Sequence, residues 1–139
     1  MRLAGTVRVK PADLREHPCD MDLKVLPDGP RLRISQSLGP AAKGCRLDGG
    51  AIEAIAFEVE ARLPAADLLV INKYGKLEAQ GRGLCSAIAK AIEMDIPTLV
   101  GVNKMNAPDF LAFSGGASVA VVPELPSVLD WYKAATIGA

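Results

Sequence analysis

The chain has 139 residues, 50% of them hydrophobic, and its 16 basic side chains balance 16 acidic ones to a formal net charge of zero. That length builds one compact domain over residues 1–139, and the charge balance excludes the basic surface with which a dedicated nucleic-acid binder displaces counterions from phosphates. No stretch approaches the roughly 18 consecutive apolar residues of a membrane span or forms the core of a signal peptide. The three cysteines, an odd count, fit a reducing compartment. The expectation is a soluble, cytoplasmic protein with neither nucleic acid nor membrane as partner.

In chain order, Arg2 to Lys10 alternates apolar and polar residues around Val7 and Val9, which predicts a strand with one wetter face or at a sheet edge. CDMDLKVL at 19–26 alternates again, Pro27-Asp28-Gly29 reads as a turn, and RLRIS at 31–35 completes a β-hairpin over about 19–36. Its register gathers Met21, Leu23, Val25, Leu32 and Ile34 on one face, so it is expected to lie as an antiparallel flap against the body. The glycine-rich stretch at about 37–50 reads as a flexible loop. Beyond it, with Asp48 as N-cap, Ile52, Ile55, Ala56, Val59 and Leu63 recur at helical spacing until Pro64 stops the helix near Arg62.

ADLLVIN at 66–72 and PTLVGVN at 97–103 are continuous aliphatic runs, the pattern of parallel strands buried on both faces. Between them NKYGKLEAQGRG reads as a loop, followed by a helix burying Leu84, Ile88, Ala91 and Ile92. A short helix near Pro108–Phe113, a strand near Ser118–Val122 and a helix from Pro126 to Ala134 finish the chain. The class is α/β. A doubly wound sheet normally opens with a buried strand and a crossover helix, which the alternating first strand does not supply.

Ligands of open parallel sheets bind beyond the carboxyl ends of the strands. That rule selects the stretch from Asn72 to Glu78, with Lys73, Tyr74, Gly75 and Lys76 in it, and Arg82 between Gly81 and Gly83 after one strand, and Asn103 and Lys104, followed by Met105 and Asn106, after the other. Their cations suit a phosphate or another oxyanion. The hairpin loop adds Ser35, Ser37, Lys43, Gly44 and Arg46, a mixture of hydroxyls, free backbone and cations that also holds oxyanions. A soft metal has weaker candidates in His17, Cys19 and Cys45, beside Asp20 and Asp22; Cys85 reads as a small buried helical residue. One histidine and the lack of a G-x-S-x-G turn leave no basis for triad chemistry.

LAGTVRV, the CDMDLKVL to RLRISQSLGPAAKGCRLD block and ADLLVINKYGKLEAQGRGL resemble the domain of unknown function 2478 family, uncharacterised bacterial proteins whose genes tend to sit beside molybdate-transport genes. The order of strand, hairpin, helix and strand is more distantly similar to the thermophilic-type nucleoside-triphosphatases, which are P-loop proteins. That resemblance implies a three-layer, P-loop-like parallel sheet, here without the N-terminal Walker A unit, because no G-x-x-x-x-G-K-[ST] occurs. It sets Asn72 at the metal-linked aspartate of Walker B, Lys73 at the catalytic glutamate, Gly75 at the glycine and Glu78 at the later glutamate, and only the last two match. An amide and an ammonium replace the acids that orient Mg²⁺ and polarise water.

Three roles remain open at this point. One is a binding or regulatory module for an anion such as a nucleotide, phosphate or molybdate-type oxyanion. Another is a nucleoside-triphosphate hydrolase completed by another chain or segment, and the third is a structural or adaptor subunit. A homo-oligomer is expected, since a sheet without its usual first strand and helix exposes aliphatic surface.

Overall fold

The structure is a computed structural model, and it describes residues 1–9, 22–36, 46–47 and 49–137. Strand β1 (Leu3–Val9) pairs antiparallel with β2 (Asp22–Leu26), which pairs antiparallel with β3 (Arg31–Arg33). A small separate ladder joins β4 (Ser35–Gln36) to β5 (Arg46–Leu47). Helix α1 (Gly49–Arg62) runs into a 3-10 turn at Leu63–Ala65, where Pro64 ends the helical hydrogen bonding. Then follow β6 (Leu68–Ile71), α2 (Lys76–Ala79), α3 (Cys85–Glu93), β7 (Thr98–Val100), α4 (Ala107–Ser114) and α5 (Leu125–Ile137).

The main sheet has the order β3-β2-β1-β6-β7, with β1, β6 and β7 parallel, so the fold is a mixed α/β one. The two aliphatic runs are parallel neighbours, as their composition requires. Two expectations are corrected. β1 is the central strand, not an edge, because its Ala4, Gly5 and Thr6 are buried between β2 and β6. The hairpin is no separate flap: β2 bonds directly to β1 and extends the same sheet, with Leu23, Val25 and Ile34 buried on the core face and Leu32 packed against them. Met21 lies outside the described residues.

One sheet face carries the core. Ala4, Thr6, Leu23, Val25, Leu69 and Ile71 share it by register, and α1 and α3 pack there through Ile52, Ile55, Ala56 and Val59 and through Ala87, Ile88 and Ala91. Ile92, expected in that core, is 57% exposed, and Ala87 takes the inward position. The opposite face, with Leu3, Val7, Leu26, Val70 and Leu99, is half-buried apart from the buried Leu68, and it stands outside the core cluster. Within the stretch read as a loop at 37–50, Arg46–Leu47 forms β5 and Gly49 starts α1. The strand expected at Ser118–Val122 forms no ladder among the described residues, and Val119 and Val122 are exposed. Among the described residues no helix is long and apolar enough to cross a membrane.

Candidate functional site

β6 and β7 run parallel, so their carboxyl ends open on one side of the sheet, and the loops that follow are tied together there. The Tyr74 N–H donates to the Gly101 carbonyl at 2.7 Å, and the Gly101 N–H to the Ile71 carbonyl at 2.9 Å. The first residue past β6 is bound inward. Thr6, wholly buried in β1, donates through Oγ1 to Asn72 Oδ1 at 2.8 Å, and the Asn72 N–H lies 3.4 Å from that hydroxyl. The position that the nucleoside-triphosphatase resemblance gives to a metal-linked aspartate therefore has its acceptor oxygen engaged with the neighbouring strand.

The stretch read as a loop folds instead around a buried carboxylate. Glu78, on the single-turn helix α2, is 6% exposed; its Oε1 accepts the Gly75 N–H at 2.9 Å and its Oε2 the Leu84 N–H at 3.1 Å. A charged group leaves water at small cost only when such donors replace it. Glu53 of α1 accepts the Gly83 N–H at 2.9 Å, so two carboxylates hold one loop by both ends. Gly83 has φ +63, and a Cβ there would run into Glu78 Oε2, which leaves glycine as the residue that fits. Glu78 thus has both carboxylate oxygens engaged by the backbone of its own loop.

Tyr74, expected in the ligand stretch, is core: it is 2% exposed and stacks edge-on against Phe110 at 5.2 Å and tilted against Phe113 at 5.7 Å. Burial pushes its hydroxyl above the ordinary range, and Cys85, Asp109 and Glu78 add to the shift. Cys85 is half-buried, and its thiol is pushed up by burial and by Glu78, which makes it a poor nucleophile. Asn103 serves the entrance of α4, its Oδ1 accepting the Asn106 N–H at 2.9 Å and the Asn106 side-chain amide at 3.1 Å.

The cations remain at the surface. Lys73, Lys76, Arg82 and Lys104 are all exposed, and among the described residues none of them joins an ion pair. The Lys73 stem passes Gly75, and the Arg82 guanidinium reaches Gly49 at the start of α1, two residues after Leu47 of β5. Of the hairpin-loop candidates, Ser35 and Arg46 sit on β4 and β5, paired with Leu47 and Gln36 respectively. Ser37, Lys43 and Gly44, and the metal candidates His17, Cys19, Asp20 and Cys45, lie outside the described residues. Asp22, beside them in sequence, accepts from Arg31 Nε and Arg33 Nε, each at 3.0 Å. Among the described residues no group of three or more metal-ligating side chains occurs.

The sequence alone does not point to Thr6 or Glu53, and it points to Tyr74 as part of the ligand stretch and not as core. Thr6 and Glu53 carry no local signal, since their partners lie 66 and 30 residues away. The Tyr74 signal was the pairing of a lone aromatic with the Phe110 and Phe113 spacing of one helical turn.

The chain is 32% identical over 133 residues to the molybdenum import ATP-binding protein ModC 2 of Bradyrhizobium diazoefficiens, an alignment that takes 95% of this chain and 15% of that protein. The chain thus spans about a seventh of the relative it matches. No solved structure matches it. Residues 1–131 match the family described as Protein of unknown function (DUF2478), and the chain belongs to that family.

Proposed function

We propose that this protein is a binding or regulatory module for a small anion, a nucleotide, phosphate or molybdate-type oxyanion, held beyond the carboxyl ends of β6 and β7. The observation that carries the reading is the set of four exposed cations, Lys73, Lys76, Arg82 and Lys104, none of them ion-paired among the described residues, on segments after β6 and β7 whose backbone is hydrogen-bonded by Glu78, Glu53 and Asn103. Preordered loops lower the entropy cost of closing cationic side chains around an anion. The similarity to a protein named for molybdenum import and ATP binding supports an oxyanion or nucleotide as the class. Hydrolysis is not part of the proposal, because Asn72 and Lys73 stand where acids would orient metal and water, and no phosphate-cradling motif occurs.

The test is titration calorimetry of the full chain with sodium molybdate, inorganic phosphate and ATP in separate runs. Saturable binding of at least one is expected, weakened by about 1–3 kcal/mol in Lys73→Ala or Arg82→Ala, the range for one charged hydrogen bond. Because both side chains are exposed, the melting temperature should hardly change. Silence with all three anions, or binding that both substitutions leave untouched, would overturn the reading.

A further inference from the structure

The side of the molecule beyond β7 is unfinished. The Leu69 N–H donates to the Pro97 carbonyl and the Gly101 N–H to the Ile71 carbonyl, so residues 97, 99 and 101 turn their backbone groups toward β6. By the same alternation Thr98 and Val100 turn theirs to the open edge, where no described residue meets them. Open parallel edges of aliphatic sequence are normally covered or blunted by charge, and TLV is neither.

A second deficit lies downstream. Ser118–Val122, SVAVV, is a strand-forming sequence of alternating β-branched residues, yet its N–H groups join no backbone bond among the described residues. Val119 is 75% exposed, and Met105, Leu111, Val122, Leu125 and Leu129 are exposed with it, whereas no described residue after Ala91 is buried. Six of the ten exposed large hydrophobic side chains described fall between residues 105 and 129, and exposed apolar surface of that kind marks an interaction surface.

We infer that this face binds a second copy of the same chain, the 118–122 segment of each copy adding to the β7 edge of the other around a two-fold axis. The occupant follows from the chain itself, which carries both an edge lacking a strand and a strand-forming run lacking an edge. Reciprocal exchange satisfies the two deficits at once and covers the exposed valines, and a net charge of zero sets up no repulsion between copies. The inference goes beyond the anion-binding reading and does not rest on it.

Light scattering coupled to size exclusion, across a concentration series of the full chain, tests it. The expected mass approaches twice the 14.6 kDa of one chain at high concentration, and Val119→Lys together with Val122→Glu returns it to the single-chain value. Both side chains are exposed, so the far-ultraviolet circular dichroism of the variant should match the wild type. A Phe57→Lys control, an exposed apolar residue on α1, should leave the dimer intact. A single-chain mass for the wild type at all concentrations would overturn the inference. So would a dimer that survives the paired valine substitutions, or one that Phe57→Lys disrupts equally.

Discussion

Two single residues show how closely the site and the sheet are built. Glu78 has both carboxylate oxygens occupied by backbone N–H groups, so Glu78→Gln presents a donor where an acceptor is required and leaves one of the Gly75 and Leu84 N–H groups unpaired. That substitution should cost about 1–3 kcal/mol, read from the urea midpoint; an unchanged midpoint would mean the loop does not depend on the carboxylate. Gly5 answers to the backbone alone. Its φ of +123 is closed to residues with a side chain, and a Cβ there would run into the Val70 carbonyl of β6. Gly5→Ala should therefore lose at least about 1–3 kcal/mol from conformational strain alone, measured in the same way. Were the alanine variant as stable as the parent, β1 and β6 would have to lie further apart than described.

At the scale of elements, β2 and β3 are held to each other by an ion-pair cluster as well as by their ladder. Burial pushes the Asp22 carboxyl upward, but the guanidinium groups of Arg33 and Arg31 more than offset this and hold it below its ordinary 3.8. A depressed folded value means that the stabilisation is complete above the unfolded value and is lost as the pH falls through the folded one, below about pH 4. Asp22→Asn should thus be less stable than wild type by up to about 1 kcal/mol at pH 7, a modest figure because the arginine side chains are 40% and 39% exposed. The gap should close on acidification below pH 4, and a gap constant over pH 3–7 would remove the cluster from the account. The hairpin was legible because period-two alternation survives in any sheet; that it extends the main sheet was not, because alternation fixes a face and not a neighbour. α1 was legible to its last residue, since Pro64 marks the end chemically. Glu78 and Lys73 are charges five residues apart in one polar stretch of the sequence, and only the backbone hydrogen bonds separate the buried carboxylate from the exposed cation. Ser118–Val122 has strand-type composition without strand pairing, because a ladder needs a partner that composition does not provide.

The whole molecule divides into unequal parts. Every buried residue described lies between Ala4 and Ala91, in the sheet, in α1 and α3 and in the segments that join them, Tyr74 and Glu78 included, whereas the described residues of α4 and α5 contain none. What ties α4 to the rest is chiefly the ring cluster of Tyr74, Phe110 and Phe113, with Tyr74 rooted in the candidate site by its bond to Gly101. Opening of α4 should accordingly require less free energy than global unfolding, which apolar burial around α1 dominates. Amide hydrogen exchange at low protein concentration should show residues 107–114 exchanging faster than residues 52–62 of α1. Phe110→Ala removes one edge-on ring pair, worth about 0.5–1.5 kcal/mol, and should speed exchange in α4 and in the loop from Asn72 to Gly75 by roughly 2- to 13-fold, the factor that this energy implies at 25 °C, while α1 exchange stays as it was. If α4 and α1 instead exchange at one rate and the substitution accelerates both alike, the chain unfolds as a single cooperative unit and the aromatic cluster is no separate latch.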